Sequence, residues 1–97
     1  MKLPADCRNM AELRVEIDAL DGEIVALLAR RVRYIDRAAE LKPAEGLPAR
    51  IDDRVEAVVA NVRAKAVAAS LDADLVEALW RRIVDWSIDR EEKVLGA

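Results

Sequence analysis

The 97-residue chain contains no histidine and no phenylalanine, and Cys7 is its single cysteine. Without histidine, the serine–histidine and cysteine–histidine arrangements of nucleophilic catalysis are excluded, because no imidazole can act as the base. One cysteine can form neither an intrachain disulfide nor a CxxC motif. We therefore expect no metal site.

Glycine and proline are also scarce, with three residues of each. The prolines are Pro4, Pro43 and Pro48, so residues 5–42 and 49–97 contain none. Long stretches without proline and with little glycine favour helices. The predicted fold class is all-α.

Long apolar runs and a strong net charge are missing too. No run approaches the roughly 20 apolar residues of a membrane span, and the opening "MKLPADCRNM" does not resemble a secretory signal. Sixteen basic and 19 acidic residues are interleaved and give a net charge of −3, unlike a basic nucleic-acid-binding surface. We expect a cytoplasmic protein with neither nucleic-acid nor membrane partners, forming a single domain over residues 1–97.

The first predicted helix covers about residues 11–42. Asn9 and Glu12 have capping-box spacing at its start, and Pro43 is expected to stop it. Such a helix is roughly 48 Å long, whereas a compact globule of this size has a diameter of about 30–35 Å. An antiparallel second copy would cover it, so a homodimer is expected. Its apolar stripe includes Leu13, Ile17, Leu20, Ile24 and Leu27.

Two further helices are predicted. The second covers about residues 49–69, after a loop at 43–50. The third begins after a cap at Ser70 or Asp72 and continues toward Val94. Their apolar stripes are Ile51, Val55, Val58, Val62 and Ala66 on the second, and Leu75, Leu79, Ile83 and Trp86 on the third.

Two cations interrupt the apolar stripe of the first helix. Arg31 fills the gap between Leu27 and Ile35, and Lys42 follows Ala38 at the next step. Burying a charge without a partner costs several kcal/mol or more, on the order of a whole domain's stability margin. Eleven residues separate the two cations, which places them within about 20° of each other around the helix and about 16 Å apart along it. Their side chains could converge on one small anion.

Other polar residues also fall on inward faces. Ser87 and Glu91 continue one face of the third helix, and Arg54 lies at the edge of the second stripe. In the plainer interpretation, Glu91 forms a structural salt bridge with Arg31 or Lys42, and the cationic heads reach water. One glutamate cannot neutralise three cations, however, and the excess of positive charge indicates an anionic ligand.

The stretch "ELRVEIDALDGEIVALLARRVRYIDRAAELK" resembles the long first helix of the all-helical chorismate mutases and of their relatives, the isochorismate-pyruvate lyases. "DDRVE" and "WSIDREE" are similar to later segments of the family, so the resemblance covers nearly the whole chain. It implies an intertwined dimer with three helices per chain, in which each site uses both subunits.

The resemblance implies the cofactor-free rearrangement of chorismate, a small dicarboxylate, to prephenate. Lys42, Glu91 and Arg31 would be catalytic, with Lys42 donating to the ether oxygen. Arg14 would come from the partner chain, because 17 residues, or about 25 Å, separate it from Arg31 on one helix. The implied substrate-binding set is Arg14, Arg31, Lys42, Arg54, Val55, Ser87 and Glu91.

Two positions depart from the commonest mutase pattern. Glu91 replaces a glutamine and would have to be protonated to help the ether oxygen, or be held by Lys42 with a different role; in the first case the rate should fall as pH rises through the Glu91 pKa. Val55 replaces a glutamate, and the lyases tend to be apolar there; the opening "MKLPADC" is also lyase-like, whereas Ser87 is mutase-like.

Two alternatives to a mutase remain. The first is an isochorismate-pyruvate lyase, which makes salicylate and pyruvate. The second is a non-catalytic helical dimerisation module, for which Arg31→Ala and Lys42→Ala would leave stability unchanged or raised.

Overall fold

A computed structural model describes residues 1–96, and they form helices without any strand in that part of the chain. A short 3-10 helix, Pro4–Asp6, precedes α1 (Met10–Glu45), α2 (Asp52–Ala68) and α3 (Ala73–Leu95). The all-α class with three long helices is confirmed. Over the described residues, no helix is both long enough and apolar enough to cross a membrane.

The chain divides into two compact units, one from Met1 to Arg33 and one from Tyr34 onward. In the first unit, the predicted cap of α1 is present: the Asn9 carboxamide oxygen accepts the backbone N–H of Glu12 at 2.9 Å. The Glu12 carboxylate in turn accepts the N–H of Arg8 at 2.8 Å. These bonds satisfy backbone donors that a helix start leaves without intrahelical partners.

The end of α1 differs from the prediction, because Pro43 lies inside the helix and does not stop it. A proline removes only its own N–H donor, so the helix continues to Glu45. Gly46 then adopts a left-handed conformation with φ of 68°. Its N–H donates to the Pro43 carbonyl and that of Leu47 to the Lys42 carbonyl, the Schellman pattern that ends many helices.

The second unit is held together by α2 packed on α3. The boundaries of α2 also differ from prediction: it starts at Asp52, so Ala49 belongs to the preceding turn. Asp72 is the cap of α3, accepting the N–H groups of Asp74 and Leu75, as one of the two alternatives predicted. Trp80 packs against both buried clusters of this unit, Ala49, Val55, Val84 and Ile88 in one, and Val62, Ala66 and Val76 in the other.

Two apolar faces remain exposed in the single chain. Along α1, Ala39 is the single buried residue, and the predicted stripe from Ile17 to Leu27 is exposed. On α3, Leu75, Leu79 and Trp86 of the predicted stripe are about half exposed. The face that includes Ser87 and Glu91 is buried instead.

Candidate active site

Lys42 lies in the last turns of α1, which belong to the second unit. Its ammonium lies 2.7 Å from Glu91 Oε1 and donates a hydrogen bond of 2.7 Å to the carbonyl oxygen of Ala49. The side chains of Lys42 and Glu91 are only 16% and 5% exposed. A cation predicted on an inward face therefore has a buried carboxylate as its partner.

The contact between these two charges lies at hydrogen-bonding distance. The 2.7 Å between the Lys42 ammonium and Glu91 Oε1 is the separation of a charge-assisted hydrogen bond. Desolvation of a buried ion pair can cost as much as the attraction returns unless hydrogen bonds complete it. The hydrogen bond that Lys42 also donates to the Ala49 carbonyl adds to this arrangement.

Ser87 lies one turn before Glu91 on the buried face of α3. It is 3% exposed and Glu91 is 4% exposed, as their position in the sequence predicted. The Ser87 hydroxyl donates to the Ile83 carbonyl at 2.8 Å, a bond that fixes its orientation on the helix. Among the predicted site residues, the second unit buries Val55, Ser87 and Glu91 and partly buries Lys42.

Arg54 and Val55 occupy neighbouring positions in the first turn of α2, with different surroundings. Arg54 is exposed and forms no ion pair with any carboxylate in the described part of the chain. Val55 is 9% exposed and packs with Ala49, Val84 and Ile88. Their predicted roles in substrate binding remain predictions.

Arg14 and Arg31 lie in the first unit of the chain. Arg14 is exposed and has no carboxylate partner within residues 1–96. Arg31 is half-buried and has a polar or ring contact of its own. That both arginines meet Lys42 around one substrate remains a prediction.

The chain matches the model of the chorismate mutase type II family from residue 13 to residue 92. The chain belongs to this family. The resemblance proposed from the sequence is confirmed, and the protein is an all-helical enzyme of the chorismate mutase family.

Three proteins are similar in sequence to this member of the chorismate mutase family. An isochorismate pyruvate lyase of Pseudomonas aeruginosa is 37% identical over 94 residues, covering 96% of this chain and 91% of that protein. T-proteins of Haemophilus influenzae and Enterobacter agglomerans are 33% and 32% identical over 84 and 83 residues. The alignments cover 87% and 86% of this chain but 22% of each T-protein. This chain therefore corresponds to about a fifth of each T-protein.

Two features of this chorismate mutase type II chain were not predicted. One is the hydrogen bond that Lys42 donates to the Ala49 carbonyl, because a backbone acceptor leaves no pattern in a sequence. The other is the pairing of Asp36 on α1 with Arg90 on α3, with Nε to Oδ1 at 2.6 Å and Nη2 to Oδ2 at 3.2 Å. The hydrogen bond from Arg90, reinforced by its charge, lowers the pKa of Asp36.

Two depressions lie in the first unit, around the start of α1. One depression of about 290 Å³ is lined by Cys7, Met10 and Leu13 among others, and another of about 610 Å³ by Lys2 and Asp6 among others. In the second unit, the space around the Lys42 ammonium is occupied by a carbonyl and a carboxylate. Within residues 1–96, no three His, Cys, Asp or Glu residues cluster as metal ligands would.

Proposed function

We propose that the protein is a chorismate mutase that rearranges chorismate to prephenate without a cofactor. The observation that supports this most is the buried ammonium of Lys42, held between the Ala49 carbonyl and Glu91. An ammonium has three N–H donors, so it can keep these contacts and still donate to a substrate oxygen.

The reaction breaks an ether C–O bond while a C–C bond forms, and negative charge grows on the ether oxygen in the transition state. Lys42 would donate to that oxygen, and a preorganised donor of this kind lowers a barrier by a few kcal/mol, about 3 for one well-placed group. Arg31, and Arg14 of a second copy, would bind the two carboxylates through bidentate contacts. Arg54 would add to the same positive field, and Ser87 would orient the ring.

Glu91 would act in its protonated form. A neutral carboxylic acid donates a hydrogen bond to the ether oxygen, whereas a carboxylate repels it. In the ligand-free chain its partner is the Lys42 ammonium, 2.7 Å from Glu91 Oε1.

A second candidate, isochorismate-pyruvate lyase, has two specific observations in its favour. The relative that aligns over 91% of its own length carries that name. Val55 is an apolar, buried side chain at a position where many mutases have a glutamate. This reaction would use the same cations and differ in where the ring hydroxyl lies.

Product identification separates the two activities. Purified protein is incubated with chorismate and, separately, with isochorismate, and the products are resolved by chromatography. Prephenate from chorismate is the expected result; salicylate and pyruvate from isochorismate, without prephenate, would support the lyase. Lys42→Ala should lower the rate by about 100-fold or more, whereas Lys65→Ala, which changes an exposed lysine on α2, should not change it.

A further inference from the structure

The turn between α1 and α2, residues 46–51, contacts the ammonium of Lys42 through one atom. That atom is the carbonyl oxygen of Ala49, which accepts the Lys42 hydrogen bond of 2.7 Å. The Ala49 side chain is a single methyl group, yet it is 3% exposed and belongs to the buried cluster with Val55, Val84 and Ile88. A turn residue of this kind would ordinarily lie at the surface.

The turn around Ala49 is constrained on both sides. Before it, Gly46 ends α1 in a left-handed conformation, and the ring of Pro48 restricts its own backbone and that of the preceding residue. After it, the Arg50 guanidinium donates to the Asp85 carboxylate of α3 at 3.1 Å. With its methyl in the core, the Ala49 peptide has little freedom to rotate.

We propose that Ala49 is a positioning residue for Lys42. Its buried methyl fixes the direction of its carbonyl, and the carbonyl holds one ammonium proton, which aims the ammonium beside Glu91. The consequence for catalysis rests on the proposed function, since it concerns the donor offered to the ether oxygen. The placement of the ammonium itself does not depend on any substrate.

Lysine acetylation followed by mass spectrometry measures that placement directly. In the full-length protein, Lys42 should react more slowly than exposed Lys65 and Lys93, which serve as internal references. Ala49→Gly removes the methyl anchor and frees the turn, so acetylation of Lys42 should accelerate at least about 3-fold. Ala49→Ser keeps a side chain of similar size and should restore slow acetylation.

Ala66→Gly is the matched control. Ala66 is buried to a similar degree in the other cluster of the second unit, so its loss weakens the core without touching the turn. Lys42 acetylation in this variant should stay within about 1.5-fold of wild type. With chorismate, Ala49→Gly should lower kcat about 10-fold with KM changed less than 2-fold, as misplacement of a catalytic group does.

The outcomes distinguish the two proposals. Equal Lys42 acetylation in Ala49→Gly and Ala66→Gly overturns the positioning role, whatever happens to activity. Faster acetylation of Lys42 in Ala49→Gly alone, reversed in Ala49→Ser, supports the positioning role whether or not the protein is active. If wild type consumes neither chorismate nor isochorismate, the proposed function is overturned instead.

Discussion

At the scale of single residues, the proposed site depends on a lysine and a glutamate in direct contact. Lys42 and Glu91 were predicted on inward faces because each continues an apolar stripe at helical spacing, and their side chains are 16% and 5% exposed in the structure. The Ala49 carbonyl that accepts from Lys42 could not be predicted, because it depends on how a turn folds back onto α1. Arg14 depends on a second copy for its predicted role, whereas Arg31 was predicted to act with Lys42 of its own chain.

The hydrogen-bonding capacity of Glu91 gives a prediction for activity. Glu91→Gln offers the ether oxygen a neutral amide donor, so it should retain turnover of chorismate, whereas Glu91→Ala offers no donor and should lower kcat by about 10-fold or more. Initial rates of wild type and both variants test the prediction, and equal rates in wild type and Glu91→Ala would contradict it.

Removing the other partner of the pair tests its contribution to stability. Lys42→Ala leaves a buried carboxylate without a counter-ion, so we expect the free energy of unfolding at pH 8 to fall by about 3 kcal/mol. Adding Glu91→Gln to Lys42→Ala removes the uncompensated charge, so the double variant should recover part of that loss. Urea denaturation of the single and double variants measures both values; equal losses in the two would show that the uncompensated charge is not the cause.

This loss of stability also removes one criterion proposed from the sequence. A non-catalytic dimerisation module was expected to tolerate Lys42→Ala, but the ion pair makes the substitution costly in a module and an enzyme alike. Stabilisation by a bicyclic dicarboxylate resembling the transition state is the better criterion, since only a binding site provides it.

At the scale of helices, the number and order of elements followed from the sequence, whereas their ends did not. The prediction that Pro43 stops α1 was wrong, because a proline this close to the end of the helix removes one hydrogen bond. The positive φ of Gly46 is what turns the chain. Asp72, by contrast, was among the predicted caps because a side-chain acceptor at that position satisfies the first N–H groups of α3.

Two glycine substitutions, one within α1 and one just after its end, should change the free energy of unfolding in opposite directions. Gly46→Ala places a Cβ at a φ of 68° and should lower the free energy of unfolding by about 1 kcal/mol. Gly22→Ala lies within the helix with no atom within 4 Å of the added Cβ and should raise it by about 0.5–1 kcal/mol. Chemical denaturation of both variants tests this; the same sign in both would contradict the assignment of Gly46 as the helix end.

The Asp36–Arg90 pair between α1 and α3 gives a pH dependence of stability. Because Arg90 lowers the pKa of Asp36, the pair stabilises the fold above the ordinary aspartate value near 3.8. This contribution is lost as the pH falls below that value. Asp36→Asn should therefore lower Tm at pH 7 by at most a few degrees, since the pair is half exposed.

The difference in Tm between wild type and Asp36→Asn should diminish below about pH 4. Asp89→Asn, an exposed position next to Arg90 with no ion pair in the described part of the chain, is the control and should leave Tm unchanged. A constant difference between pH 7 and pH 3 would argue against an electrostatic origin.

At the scale of the whole molecule, the exposed apolar faces indicate that the single chain is not the functional unit. Ile24 and Leu27 of α1 and Leu79 of α3 are each at least half exposed. Covering such faces with a second copy would gain roughly 25 cal/mol for each Å² removed from water. An antiparallel pairing would bring Arg14 of one copy near Arg31 of the other, as predicted from the 17 residues that separate them on one helix.

Subunit complementation tests this shared site most directly. Arg14→Ala and Lys42→Ala proteins, each expected to be inactive on chorismate, are mixed, unfolded and refolded together. If each site takes Arg14 from one copy and Lys42 from the other, a mixed dimer regains one intact site, and the mixture should recover roughly a quarter of wild-type activity, since half of randomly paired dimers are mixed. A mixture as inactive as its two components, from chains shown to refold and pair, would contradict the account.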